Sequence, residues 1–183
     1  MALPHNVGMT TRLPLACACL ALWLSACAGT PATPPAGDAV TFIVVRHAEK
    51  AADDPRDPTL NDAGQARAQR LVALLRDEAL VAIYATQYRR TRQTATPLAT
   101  ARRLAVTGYD AARSADDFAA ALREAHRSGT VLVVGHSNTV PGIVAALCGC
   151  TTEAMPESEY DRISRVRIGN DGRRTLHIER GAP

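Results

Sequence analysis

From Val40 onward, short runs of β-branched and aliphatic residues alternate with stretches whose apolar positions recur at helical spacing. Residues 40–45 (VTFIVV) form a continuous apolar run, which suits a strand buried on both faces. Leu60-Asn61-Asp62 opens a helix with Asn61 as its N-cap, and Leu71, Leu74 and Leu75 share one face down to about Glu78. Residues 80–85 (LVAIYA) predict a second strand and 89–102 a second helix. A short third strand at 104–107, a helix at 115–127 and a fourth strand at 130–134 (TVLVV) follow. Residues 140–147 predict a helix that Pro141 can begin in its first turn. The tail reads ISRVRI, GNDG and RRTLHIE, a β-hairpin around a glycine-containing turn. This order predicts an α/β fold of three layers, with a mostly parallel central sheet, an antiparallel edge and a C-terminal β-hairpin.

The N-terminal residues follow a different pattern. Arg12 precedes the apolar run LPLACACLALWL, and LSAC ends at Cys27. About a dozen apolar residues are too few to span a ~30 Å hydrocarbon core but suit the h-region of a secretion signal. Met9 is an alternative start, which would give Arg12 a more ordinary position before that region. Leu24-Ser25-Ala26-Cys27 resembles the lipobox of bacterial lipoproteins, in which the cysteine becomes the lipidated first residue. An ordinary cleaved signal ending in Ser-Ala-Cys-Ala is the alternative. Residues 28–39 (AGTPATPPAGDA) have the composition of a semi-extended tether. The expected layout is a signal over 1–26, a lipidated Cys27 and tether over 27–39, and one folded domain over 40–183. That layout places the protein at the cell envelope, on its periplasmic face and anchored to the outer membrane.

Composition agrees with one globular domain: 46% of the 183 residues are hydrophobic and 21% charged. The net charge of +3, from 21 Lys+Arg against 18 Asp+Glu, is too slight to argue for nucleic-acid binding. Any anion must be gripped locally. With Cys17 and Cys19 in the signal and Cys27 lipidated, only Cys148 and Cys150 remain for redox chemistry. They can be free thiols or a tight disulfide, and the plainest reading is two small buried residues at a helix end. No Cys/His spacing resembles a zinc site, so neither metal nor cofactor is expected.

Two predicted strands run directly into histidines: Arg46-His47-Ala48-Glu49-Lys50 after the first, and Gly135-His136-Ser137-Asn138-Thr139-Val140-Pro141 after the fourth. The second strand leads into Thr86-Gln87-Tyr88-Arg89-Arg90-Thr91-Arg92-Gln93-Thr94-Ala95. Ligand sites in such sheets lie beyond the carboxyl ends of the strands. Two imidazoles and several guanidiniums at one edge suit phosphoryl transfer, in which charge on three equatorial oxygens must meet fixed donors. Cations beside an imidazole lower its pKa and keep it neutral and nucleophilic, and guanidiniums bind phosphate oxygens bidentately.

These three segments, in this order and on these elements, resemble the histidine phosphatase superfamily, whose fold is phosphoglycerate-mutase-like. The resemblance implies that His47 is the nucleophile that becomes phosphohistidine. It further implies that Arg46 and Arg90 clamp the phosphate, that His136 is the second histidine of the pocket, and that Thr86 stands where many relatives have serine. Leu60-Asn61-Asp62-Ala63-Gly64 matches the helix-opening segment. The sequence departs from the family at the acid: VTGYDAARSADD, after the third strand, has no glutamate. Asp110 is the nearest candidate and Glu49 the alternative. The gap resembles the short phosphohistidine phosphatases, which are cytoplasmic, whereas this chain carries an export signal.

Other residues near these motifs have plainer readings. His177 lacks any motif and reads as a satisfied core histidine. Arg89 and Arg92 read as a solvated face, and Tyr88 as pocket rim or surface. Ser137 and Asn138 read as caps of the helix near Val140, with phosphate donation by either as the functional alternative. The function expected is hydrolysis of phosphomonoesters or phosphoramidates, on a phosphorylated small molecule or phosphoprotein. A non-catalytic lipoprotein that binds phosphorylated ligands is the second reading. A phosphomutase is the third, and 144 residues leave it little room for substrate-enclosing insertions.

Overall fold

The computed structural model describes residues 1–2 and 39–181, so Cys27 and all of the tether except Ala39 lie outside the described residues. The chain divides into two units, Met1–Thr33 and Pro34–Pro183. The second contains every strand and helix among the described residues, in the order β1 (Ala39–Arg46), α1 (Asp62–Leu74), β2 (Leu80–Thr86), α2 (Arg89–Arg102), β3 (Val106–Tyr109), α3 (Ala115–Ala125), β4 (Gly129–Gly135), α4 (Val140–Cys148), β5 (Arg162–Gly169) and β6 (Arg174–Arg180).

One six-stranded sheet runs β3-β2-β4-β1-β5-β6. The first four strands are parallel, and the hairpin β5–β6 adds an antiparallel edge beside β1. Alternation along β1 explains the three layers, because successive strand side chains point to opposite faces. Phe42 and Val44 pack with Phe118 and Leu122 of α3 and Ile143 and Leu147 of α4. Ile43 and Val45 pack on the other face with Leu71 of α1, Leu75 just beyond it and Leu98 of α2. The middles of the central strands, Phe42–Val45 in β1 and Val131–Val134 in β4, are therefore apolar at every position, as double-sided burial requires. The unit from Pro34 holds the whole sheet and both cores, all that a single domain needs to fold.

Several elements differ from expectation. Helix α1 stops at Leu74, and of the three leucines only Leu71 and Leu75, four residues apart, are buried; Leu74 faces out with half its surface exposed. Strand β3 starts two residues later than expected. Arg103 turns through the left-handed region (φ 54°) and Leu104 N donates to Ala99 O, so Leu104 is spent closing α2. His177 is exposed on the edge strand β6 and is not a core residue. Cys148 and Cys150 form a disulfide across Gly149, which takes a left-handed conformation (φ 66°) at the end of α4; Cys150 is exposed rather than buried.

Register brings the strand ends together. Arg46 pairs with Gly135 across β1–β4, and Ala85 with Val134 across β2–β4. Whatever follows Arg46, Thr86 and Gly135 must therefore emerge side by side at one edge.

Candidate active site

His47 N donates to Gly135 O (2.9 Å), extending the β1–β4 ladder by one residue and fixing where the imidazole starts. The ring's Nδ1 lies 2.8 Å from Ala48 O. A carbonyl only accepts, so Nδ1 carries the hydrogen and Nε2 keeps a free lone pair. Burial, reinforced by Arg46, His136 and Arg90 and opposed by the Ala48 carbonyl, pushes the His47 pKa down to about 3. The imidazole is thus neutral at ordinary pH, as a nucleophile must be.

His136, at the end of β4, has its ring centroid 5.3 Å from that of His47. Its Nε2 is 3.0 Å from Thr86 Oγ1, which is 2.8 Å from Thr91 Oγ1, and Thr91 Oγ1 donates to Tyr88 O (2.8 Å). Because that last carbonyl can only accept, the chain runs His136 Nε2–H to Thr86 to Thr91 to Tyr88. His136 Nδ1 is left as an acceptor 3.5 Å from Arg90 Nη2. Burial, then Arg90 and Arg46, push the His136 pKa down to about 4.

Arg46 is 2% exposed and is oriented from behind. Its Nη1 donates to Pro156 O, Glu157 O and Glu159 O at 2.7–3.2 Å, its Nη2 to Glu157 Oε2 at 2.7 Å, and its Cζ sits 4.1 Å over the Tyr160 ring. Arg90, in the first turn of α2, has its Cζ 4.5 Å over the Tyr88 ring and its Nη1 3.7 Å from Asp57 Oδ1. Buried Arg46 Nε and Arg90 Nη1 both lack a hydrogen-bond acceptor. An anion between the two histidines would meet Arg90 in the pocket wall, whereas Arg46 stands behind that wall and outside the pocket lining. Thr94 couples the two halves by accepting from Ala48 N and donating to Arg90 O.

An open pocket of about 560 Å³ collects His47, His136, Arg90, Tyr88, Asn138 and Glu157. Its mouth is formed partly by Ala111 and Ala112. Thr86 is fully buried behind His136 and orients that ring rather than lining the pocket. Asn138 is exposed at the rim. Neither it nor Ser137 caps α4: the N-cap is Thr139, whose hydroxyl accepts from His136 N instead, and Ser137 Oγ donates to Glu157 Oε1. Arg89 and Arg92 are exposed, as a solvated helix face requires.

The two acids named from the sequence stand apart from the pocket lining. Asp110 Oδ1 accepts from Ala112 N within its own turn. Glu49 is clamped by Arg67 through three contacts of 2.6–3.0 Å, which hold its pKa below the ordinary carboxylate value. The pocket carboxylate among the described residues is Glu157, which sequence reasoning missed. It sits in the 13-residue connection between α4 and β5 (residues 149–161), whose length without regular structure was the available signal, since loops this long usually carry function.

Residues 42–114 match the histidine phosphatase superfamily (branch 1). No curated protein matches the sequence. Among solved structures, the protein histidine phosphatase SixA complexed with tungstate is similar at TM-score 0.60 and 19% identity, covering 76% of this chain and 96% of that one. A phosphoserine phosphatase from Entamoeba histolytica in complex with 3-phosphoglyceric acid is similar at TM-score 0.58 and 13% identity, covering 79% and 98%. A mycobacterial glucosyl-3-phosphoglycerate phosphatase is similar at TM-score 0.56 and 14% identity, covering 79% and 100%. At these identities the likeness speaks for the fold.

Proposed function

We propose that the chain, whose residues 42–114 match the histidine phosphatase superfamily, is an envelope phosphatase of that superfamily. In this reading it is lipid-anchored through Cys27 and hydrolyses phosphomonoesters or phosphoramidates through a phosphohistidine on His47. The observation that carries the reading is the pair of neutral, buried imidazoles 5.3 Å apart, flanked by guanidinium nitrogens without acceptors.

In the first step the His47 Nε2 lone pair attacks phosphorus, an N–P bond forms and the bond to the leaving group breaks. The ring becomes cationic, and its Nδ1–H remains on Ala48 O. Arg46 and Arg90 hold the equatorial oxygens. A bound dianion reverses the field at His136 and draws a proton onto its Nδ1, so the ring changes from acceptor to donor toward the phosphoryl group. Water then attacks phosphorus, passing a proton to the pocket carboxylate that protonated the leaving group; the N–P bond breaks, and phosphate leaves with neutral His47 restored.

The departing oxygen needs a proton, and Glu157 is the carboxylate placed to give one. In the empty pocket the Ser137 hydroxyl and Arg46 lower its pKa. Once phosphate takes Arg46, that support is replaced by a dianion, which raises the carboxyl's pKa and equips it as an acid.

Rapid mixing with a labelled aryl phosphate, quenched in alkali, should trap an acid-labile phosphoenzyme in wild type and none in His47→Ala. Chelators should leave the rate unchanged, because the nucleophile is an imidazole rather than metal-bound water. A phosphoenzyme in His47→Ala, or wild type that binds phosphate without turnover, would overturn the reading, the second outcome in favour of a binding module.

A further inference from the structure

The sheet's other end carries a second basic pocket, of about 340 Å³, lined by Val40 at the start of β1, Arg123, His126 and Arg127 at the end of α3, and Asn170 and Arg174 of the β5–β6 hairpin. We propose that this pocket binds the phosphate headgroup of an anionic phospholipid and seats the domain on a membrane surface with its active site facing away.

Three observations support this. First, no carboxylate lines the pocket. The nearby Asp171 is turned onto its own loop, accepting from Arg173 N (2.9 Å), and Asp116 is the acidic group that acts on Arg123. Arg127 makes no hydrogen bond or ion pair among the described residues.

Second, the guanidiniums are held in place. Arg123 Nη1 donates to Ala146 O (2.9 Å) and Arg174 Nη1 to Leu147 O (3.3 Å), both in the last turn of α4. Each arginine is anchored through one nitrogen and keeps further N–H donors, so the fork is ordered before any anion arrives. Bringing Arg123 and Arg174 together costs repulsion, seen in the lowered Arg123 pKa that burial and Arg174 cause. A phosphate would relieve it.

Third, the pocket's position favours a bilayer over a free ligand. Val40 and Arg46 stand at opposite ends of β1, about 20 Å apart at ~3.3 Å per residue. The chain enters the domain at Ala39, beside the pocket, and twelve residues reach at most about 40 Å from Cys27. On the lipid anchor of the proposed function, on which only this third argument rests, the chain from the membrane enters at the pocket's end of the sheet, so that end meets the membrane without the tether having to wrap around the domain.

The test uses a chain beginning at Pro34, which carries the whole sheet and both cores. It is sedimented with vesicles of phosphatidylcholine alone and with added phosphatidylglycerol. Binding is expected only to the anionic vesicles and should fall as salt rises. Arg127→Gln with Arg174→Gln should weaken it roughly thirtyfold, about fivefold for each arginine. Arg174→Lys should bind between wild type and Arg174→Gln, since it keeps the charge but loses the anchored fork. Should the double variant unfold, Arg127→Glu alone, at an exposed position, must still lose binding. Equal binding to neutral vesicles, undiminished binding by the variants, or capture of soluble glycerol phosphate with no vesicle binding would each overturn the proposal. Turnover of a soluble aryl phosphate by the same samples reads the catalytic proposal separately and should be unaffected by these substitutions.

Discussion

The carboxylate of Glu157 lies 2.7 Å from Nη2 of Arg46, a guanidinium that is 111 residues away in sequence and almost wholly buried. On the proposed reading, a phosphate entering the pocket competes for that guanidinium, so the same carboxylate would guard the empty site and become available as an acid once displaced.

Replacing Glu157 with Gln should separate these two effects. Inorganic phosphate should inhibit the variant about fivefold more tightly, because a negative charge beside the clamp is gone. kcat on alkyl phosphates should fall about a hundredfold while aryl phosphates lose little, since a good leaving group carries its own charge. Asp110→Asn and Glu49→Gln should leave the leaving-group dependence unchanged. A series of kcat/KM values across leaving-group pKa measures all three, and a steepened series in Asp110→Asn would return the acid role to Asp110.

Thr86 acts on His136 through one hydrogen bond, and it is wholly buried. Thr86→Val should leave His136 Nε2–H without an acceptor, lower stability by about 1–3 kcal/mol and reduce kcat. Thr86→Ser should recover both. Urea unfolding and steady-state rates compare the pair, and equal behaviour of the two variants would remove Thr86 from the network.

Stability should depend on pH through the two imidazoles. Their folded pKa values, about 3 and about 4, lie below the unfolded value of 6.5. Between about pH 6.5 and about pH 4 the unfolded chain therefore binds more protons, and stability falls as pH falls through that window. His47→Asn and His136→Asn should each flatten that decline in denaturant titrations, and slopes equal to wild type would contradict the burial argument.

Gly64 packs the start of α1 against the loop that carries Glu49. A Cβ there would fall 2.2 Å from Glu49 O, a backbone atom that must move to make room. Gly64→Ala should cost about 1–3 kcal/mol, lowering Tm by roughly 5 °C, and should slow turnover because His47 is two residues away. Calorimetry with rate measurements checks it.

Cys27→Ala should abolish incorporation of labelled fatty acid and release the protein from the membrane fraction, since acylation needs that thiol. Fatty-acid labelling that persists in the variant would refute the lipidated cysteine.

The α/β class, the parallel sheet with its antiparallel hairpin, and the two strand-end histidines were legible in the chain because they follow from local pattern. VTFIVV and TVLVV, short and β-branched, suit strands buried on both faces, and whatever follows such strands stands at a sheet edge. Asn61 declared its cap in the same local way, and its side chain does accept from Gly64 N. Partners brought in from distant segments were beyond local pattern. Glu49 looked like an acid beside His47 until Arg67 of α1 closed on it. Ser137 looked like a cap until Glu157 drew its hydroxyl away. Glu157 itself lies in a loop with no periodicity, and only the docking of residues 149–161 over the end of β1 places it on Arg46. Periodicity is set by neighbours along the chain, whereas a carboxylate's charge state and purpose are set by whichever cation the fold brings within about 3 Å of it.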